Sequence, residues 1–264
     1  MTPRAALATL VVASWVLLVP GRADATTPSA ELRDGLAAEL DRCVEGLALP
    51  DAPPIYHMRF TLLERTMSEV VASRGAIAHE HSSPSNVLGV EIRVGTPQFD
   101  NTNFGGWETG FDSVYLADYL TVPTLRNQAW LLADTAYKKA VEQHARKRAQ
   151  WSPPADHPGD FEMAGALTHT VPAPDPPQLD GLRELALALS EAFPDAMSLE
   201  RAEVHAEHGA GTLAVLDSEG TRVVLPVRWA HIRAIAHLRL DDGTLLTDHR
   251  SWIVTALDRR PRRD

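Results

Sequence analysis

Two pairs of histidines come closest to chemistry in this chain of 264 residues. His79 and His81 flank Glu80, and two-residue spacing on a strand sets both imidazoles on one face. His205 and His208 stand beside Glu203 and Glu207. Imidazole nitrogen with carboxylate oxygen is a legitimate donor set for zinc or copper, provided three or four ligands converge. Neither pair has the spacing of a helix-borne His-Glu-x-x-His. Ser83 and Pro84 fall three and four residues after Glu80, and Glu207-His208 runs into Gly209-Ala210-Gly211, which reads as a turn. The four histidines stand as metal candidates against the simpler reading of surface histidines near loops. No catalytic or cofactor-binding residue is assigned, and no cofactor is expected.

Other chemistries lack their motifs. There is no Gly-x-Ser-x-Gly elbow, Gly-x-Gly-x-x-Gly turn or Gly-x4-Gly-Lys-Ser/Thr phosphate loop. Cys43 is the sole cysteine, so no intrachain disulfide can form, and its place on an apolar helical stripe predicts a buried thiol. One surface is distinctive. From Trp229 to Leu240, Ala230, Ile232, Ala234, Ala236, Leu238 and Leu240 share one strand face. His231, Arg233, His237 and Arg239 share the other, with Trp229 and Ile235. Such a cationic face suits an acidic partner or a peptide carboxylate; a solvent-facing sheet surface accounts for it equally.

The elements that must position these residues follow from periodicity. Arg4, the apolar run Ala5–Val19 and Ala23-Asp24-Ala25 read as a secretory signal peptide over residues 1–25, with an uncleaved anchor or buried first helix as the alternative. Its removal makes the formal net charge one unit more negative than the −10 of the whole chain. The reading implies an exported protein, periplasmic or secreted, off the membrane once the signal is cleaved. Its acidity opposes nucleic-acid binding, and the basic tail 259–264 reads as a solvated end.

Ser29 is expected to cap a first helix whose stripe is Leu32, Leu36, Leu40, Cys43 and Leu47. Strands are expected over Tyr56–Leu62, Ser68–Ala78 and Val87–Gly95, with a turn at Ser82–Asn86 that leaves His79-Glu80-His81 at the hairpin end. Residues 96–119 read as a long loop. Thr124 is expected to cap a helix to about Arg148, with Leu125, Ala129, Leu132, Ala136, Ala140 and Val141 buried. Lys138, Lys139, Arg146, Lys147 and Arg148 read as a solvated cationic cluster at its end. Seven prolines between Trp151 and Gln178 mark a strap.

Asp180 caps a third helix bearing Leu182, Leu185, Leu189 and Phe193, stopped by Pro194. Strands then alternate over Leu199–Glu207, Thr212–Asp217, Thr221–Val227, Trp229–Leu240 and Thr244–Leu257. Their clear turns are Ser218-Glu219-Gly220 and Asp241-Asp242-Gly243. The fold class is α+β: two helix-plus-antiparallel-meander halves, residues 26–150 and 179–258, joined by the proline-rich segment 151–178. They form either one domain or two packed subdomains.

Several segments resemble a known family. Pro54-Ile-Tyr-His-Met-Arg, Ser73-Arg-Gly-Ala, Val87-Leu-Gly-Val-Glu-Ile-Arg-Val-Gly, Phe99-Asp-Asn-Thr, Arg126–Arg148 and Asp217-Ser-Glu-Gly-Thr-Arg-Val-Val are similar to the amino-terminal domain of exported TldD/PmbA-related metallopeptidases, the modulator of DNA gyrase family. The resemblance runs from about Pro54 to Leu257. It implies that metal and hydrolytic chemistry belong to a carboxy-terminal domain carrying His-Glu-x-x-x-His and a cysteine ligand. The amino-terminal domain would help form a dimer around a cleft for unfolded peptide. None of the 11 histidines of this chain completes that motif, so no catalytic residue is carried over. The expectation is a noncatalytic, peptide-handling protein, with a separate metallopeptidase subunit or a second copy as partner. The alternative is a stand-alone periplasmic metal- or ligand-binding protein.

Overall fold

Three- and four-residue spacing of Leu32, Leu36, Leu40 and Cys43 builds helix α1 (Ser29–Gly46), and all four side chains are fully or almost fully buried. Each buried leucine contributes about 1.5–3 kcal/mol. From Ile55 the period becomes two, and strand β1 (Ile55–Ser73) sends Met58, Phe60 and Leu62 into the same core. The computed structural model describes residues 29–105, 110–172, 179–193 and 199–254. The signal-peptide reading, Pro174, Pro176, Pro177, Pro194 and the basic tail lie outside the described residues. Ser29 is already helical, and its hydroxyl donates to Glu64 Oε1 at 3.0 Å instead of capping.

After β1 come β2 (Ala76–Thr96), β3 (Phe99–Asp100), β4 (Phe111–Leu116), α2 (Val122–Gln150), β5 (Thr168–Thr170), α3 (Leu179–Ser190), β6 (Leu199–Asp217), β7 (Arg222–Arg239) and β8 (Leu245–Val254). The fold is α+β, with the described strands in one sheet. Its order is β3-β2-β1-β6-β7-β5, with β4 also on β2 and β8 also on β7. Pairings are antiparallel except β5 with β7.

The expected strand breaks are where structure and sequence diverge. β1 and β2 form one long hairpin whose turn is Arg74-Gly75, with φ of 49° and 75°. Positive φ at both central residues defines the primed turn that matches strand twist. Ser82–Asn86 is therefore strand, and His79-Glu80-His81 lies along β2 instead of at its end. Pro84 is tolerated because β2 has no second neighbour there among the described residues. Gly209-Ala210-Gly211 is likewise mid-strand in β6, and β7 runs unbroken through Arg228.

These false breaks share one row of the sheet. Thr66 pairs with both Pro84 and Ala210, and Ala210 pairs with Arg228. At this waist the helical cover changes. α1 and α2 lie over one end, on Met58, Phe60, Leu88, Val90 and Ile92. α3 lies over the other, where Leu182 and Ala186 meet Val70, Val204, Ala206 and Ile232. A cleft of about 300 Å³ opens at the waist over Glu64, Thr66, Pro84 and Ala210, walled by Leu32 of α1 and by Asp118, Tyr119 and Leu120 ahead of α2.

Smaller corrections concern ends and loops. Thr121, not Thr124, caps α2, accepting from the Thr124 amide at 3.4 Å; Pro123 fits the first turn because its missing N–H would have no partner there. The expected loop over 96–119 contains β3 and β4. The proline-rich strap contributes β5 to the sheet. Cys43 is buried as expected, and desolvation pushes its thiol up to about 12.

Candidate functional site

Helices cover one face of the sheet; the other carries no helix among the described residues. The even-numbered residues of β1, β6 and β7 point to the helices, so the odd-numbered ones line the open face. Alanines 230, 234 and 236 and Ile232 accordingly face the helices, while His231, Arg233 and His237 face away, as their alternation predicts. Arg239, also on the open side, ends the strand in a 2.8 Å pair with Glu200.

Register then collects a polar lattice at the α3 end of this face. His205 pairs across strands with Val71 and Arg233, and Glu207 with Glu69 and His231. His205 Nδ1 lies 3.2 Å from Glu69 Oε1, and its Nε2 lies 3.4 Å from Glu203 Oε2. His231 Nδ1 is 3.5 Å from Glu207, and its Nε2 is 2.6 Å from Ser251 Oγ. His237 Nδ1 meets Thr247 Oγ1 at 2.9 Å. Burial works against the Glu203 carboxylate, but Arg201 and His205 outweigh it and hold its pKa below the usual range.

Arg233 differs from its neighbours. Among the described residues it forms no hydrogen bond or ion pair, and its Nε is buried without a partner. An unpaired guanidinium presents a planar fork that fits a carboxylate through two parallel hydrogen bonds.

The four metal candidates separate in space. His79 and His81 do share the open face, with ring centroids 6.4 Å apart. Glu80 between them points to the helix side, where it binds Arg183 of α3 at 2.8 Å. His205 is held in the carboxylate lattice. His208 lies on the helix side, 1% exposed, with neither ring nitrogen partnered. Burial first and Arg228 second lower its pKa. Among the described residues, no three metal-ligating side chains converge on one point.

At the far end of the open face the strap folds in. Phe161 packs on the His57 ring at 4.8 Å and beneath the Arg93 guanidinium at 4.2 Å. Arg93 also binds Glu91 at 2.7 Å and Asp100 at 3.0 Å. Behind this knot Lys147 Nζ is fully buried, 2.5 Å from Asp160 and 2.7 Å from the Thr102 carbonyl. Lys147 is thus no solvated helix-end cation. Its neighbours are surface residues as expected, pairing with Asp134 (Lys138), Asp112 (Lys139) and Glu142 (Arg146). Sequence reasoning missed the knot; its available signal was the Asp100-Asn101-Thr102-Asn103 run, dense in side chains that bond backbone.

The class is thus α+β: a largely antiparallel sheet with helices on one face and, among the described residues, a charged face without helices on the other. No protein-family model and no curated protein sequence matches the chain. Solved structures do. A protein described as a modulator of DNA gyrase from Bacteroides thetaiotaomicron aligns over 85% of this chain and 45% of its own, at TM-score 0.50 and 11% identity. Another, from Thermotoga maritima, aligns over 89% and 45% at TM-score 0.47 and 8% identity. TldE from Thermococcus kodakarensis aligns over 86% and 44% at TM-score 0.39 and 10% identity. The first likeness is one of fold. This chain spans less than half the length of each of the three.

Proposed function

We propose that this chain is an exported, noncatalytic domain of the TldD/PmbA type. In this reading it holds extended, unfolded peptide on the open face of its sheet and works with a separate metallopeptidase chain. The observation that carries the reading is Arg233, a guanidinium without a partner among the described residues, set between His205 and Ser251 on the sheet face that carries no described helix. A pairable cation in an acidic molecule has one natural complement, a carboxylate brought by something else. The shared fold with a gyrase-modulator protein supports the same assignment.

Fluorescence anisotropy with a labelled, acidic, unfolded peptide tests the binding. Micromolar affinity is expected, weakened roughly tenfold or more by Arg233→Ala, as befits a hydrogen-bonded charge. Arg183→Ala, on the helix side, leaves it unchanged. Absence of binding, or equal loss in both variants, overturns the reading. So does peptide turnover by the purified chain alone. Co-purification of a metallopeptidase chain from the exported fraction supports the partnership, and recovery without one refutes it. Stoichiometric zinc or copper in untagged protein would instead assign the metal-binding alternative.

A further inference from the structure

The cleft at the waist gathers hydrogen-bond acceptors that no described residue satisfies. Glu64 of β1 and Asn86 of β2 pair directly across strands, and Thr66 is the next residue of β1 on the same side. Such neighbours on one sheet face stand roughly 5–7 Å apart, so the three side chains share one patch of the floor. Glu64 Oε1 accepts from the Ser29 hydroxyl at 3.0 Å. Its Oε2 is buried without a hydrogen bond, since Arg33 Nη1 stands 4.0 Å off, too far for one.

Asn86 is 8% exposed. Its Nδ2 donates to the Ala117 and Asp118 carbonyls at 3.1 Å and 3.4 Å, while its Oδ1 accepts from no described residue. Those two bonds hold Asp118 at the cleft, where its carboxylate has no described partner either. A buried acceptor left unmet is costly, and native structures rarely keep one without a reason. The walls supply no donor: Pro84 lacks an N–H, and Leu32, Leu120 and Ala210 are apolar. Arg65 also borders the cleft, but it lies on the open side of β1, where its Nε donates to Ser85 Oγ at 3.4 Å.

We infer that this cleft binds a primary ammonium on a short, unbranched aliphatic stem, carried by a free alkylamine or by a lysine side chain of a peptide. An ammonium brings three donors on one nitrogen, which suits acceptors on separate side chains. A guanidinium fork needs both oxygens of one carboxylate, and Ser29 already occupies one oxygen of Glu64. The ammonium meets Glu64 Oε2 and Asn86 Oδ1 at the floor, with Asp118 adding negative charge. Leu32, Pro84 and Leu120 line the stem, and Tyr119 offers an aromatic ring, a surface that attracts cations. A volume of about 300 Å³ is at the small end for ligand sites, as a short stem requires. The cleft lies on the helix side of the sheet, so this inference does not rest on what the open face binds.

Ligand-observed NMR titration of the full chain tests it with n-butylamine, lysine blocked at both its α-amino and carboxyl groups, and the neutral n-butanol. At least one amine is expected to bind with a dissociation constant of about 1 mM or below, and n-butanol is not. Binding of n-butylamine alone identifies a free amine as the ligand; binding of the blocked lysine identifies a peptide side chain. Glu64→Gln keeps the side-chain shape and is expected to weaken binding roughly tenfold or more. Asp118→Asn, at an exposed position, weakens it about two- to fivefold. Asp41→Asn removes an acid on α1 that does not line the cleft, and leaves binding unchanged. Failure of both amines to bind overturns the inference. So do equal binding of n-butanol, an unimpaired Glu64→Gln variant, or equal loss in Asp41→Asn.

Discussion

Lys147 is a residue whose role is set by what surrounds it. It sits one turn after Gln143 on the buried side of α2, where its ammonium meets Asp160 and the Thr102 carbonyl and lies 4.8 Å and 5.0 Å from the Phe99 and Trp151 rings. Burial opposes charge on Asp160, yet the hydrogen bonds from Lys147 and the Asp100 amide outweigh it and lower its pKa. Lys147→Met strands that carboxylate without its cation. Urea unfolding is expected to show a loss of about 3–5 kcal/mol. Replacing both partners, as K147M/D160L, should return most of it, because two apolar groups leave no buried charge unpaired. The pair also pins the strap, since Asp160 Oδ2 accepts the Asp100 amide at 2.8 Å.

At the scale of elements, the waist shows why some of the fold was legible and some was not. Alternation gave the faces of β7 correctly because its two buried residues, Ala230 and Ile232, lie on the same side, and the stripe of α1 was equally plain. Strand length was not legible. Ser82–Asn86 and Gly209–Gly211 have the composition of turns, but they occur where β2, up to Ser85, has only β1 beside it among the described residues and where backbones crowd. A Cβ at Gly211 would stand 1.9 Å from the Glu64 carbonyl oxygen and 2.5 Å from Arg65 Cα. Glycine is required there by close approach, not by a turn. At Gly209 the Trp229 indole fills the space, 2.6 Å from where a Cβ would be. Gly211→Ala is therefore expected to cost about 3 kcal/mol, at the upper end for overpacking, measured by thermal or urea unfolding. The Arg74-Gly75 turn was missed for a different reason. Asn-Gly and Asp-Gly are the strong hairpin signals, and arginine at positive φ is unusual. Arg233 and the His205 carboxylate lattice were only partly foreseen, because the cationic face was visible in one strand whereas its partners come from three others.

For the whole molecule, three histidines, His57 and His208 buried and His144 half-buried, shape the response to acid. His57, His144 and His208 each have a pKa lowered chiefly by burial, with nearby arginine or lysine charge adding to the effect. Unfolded, each takes up its proton near pH 6.5. The unfolded chain thus binds more protons below that pH, and stability must fall as pH drops. It is fully present above about pH 6.5 and declines toward pH 5, each group contributing up to roughly 1.4 kcal/mol per pH unit. Asp160 works in the same direction only below about pH 4, near the unfolded carboxylate value. Urea midpoints at pH 7 and pH 5 check this, and His208→Leu should flatten the dependence. The unbroken passage of β1, β2, β6 and β7 through the waist has a mechanical consequence. The molecule has two cores but no joint: a load on one end of the sheet is carried by backbone that also floors the other. A peptide lying along it would rest on a plank, not between jaws.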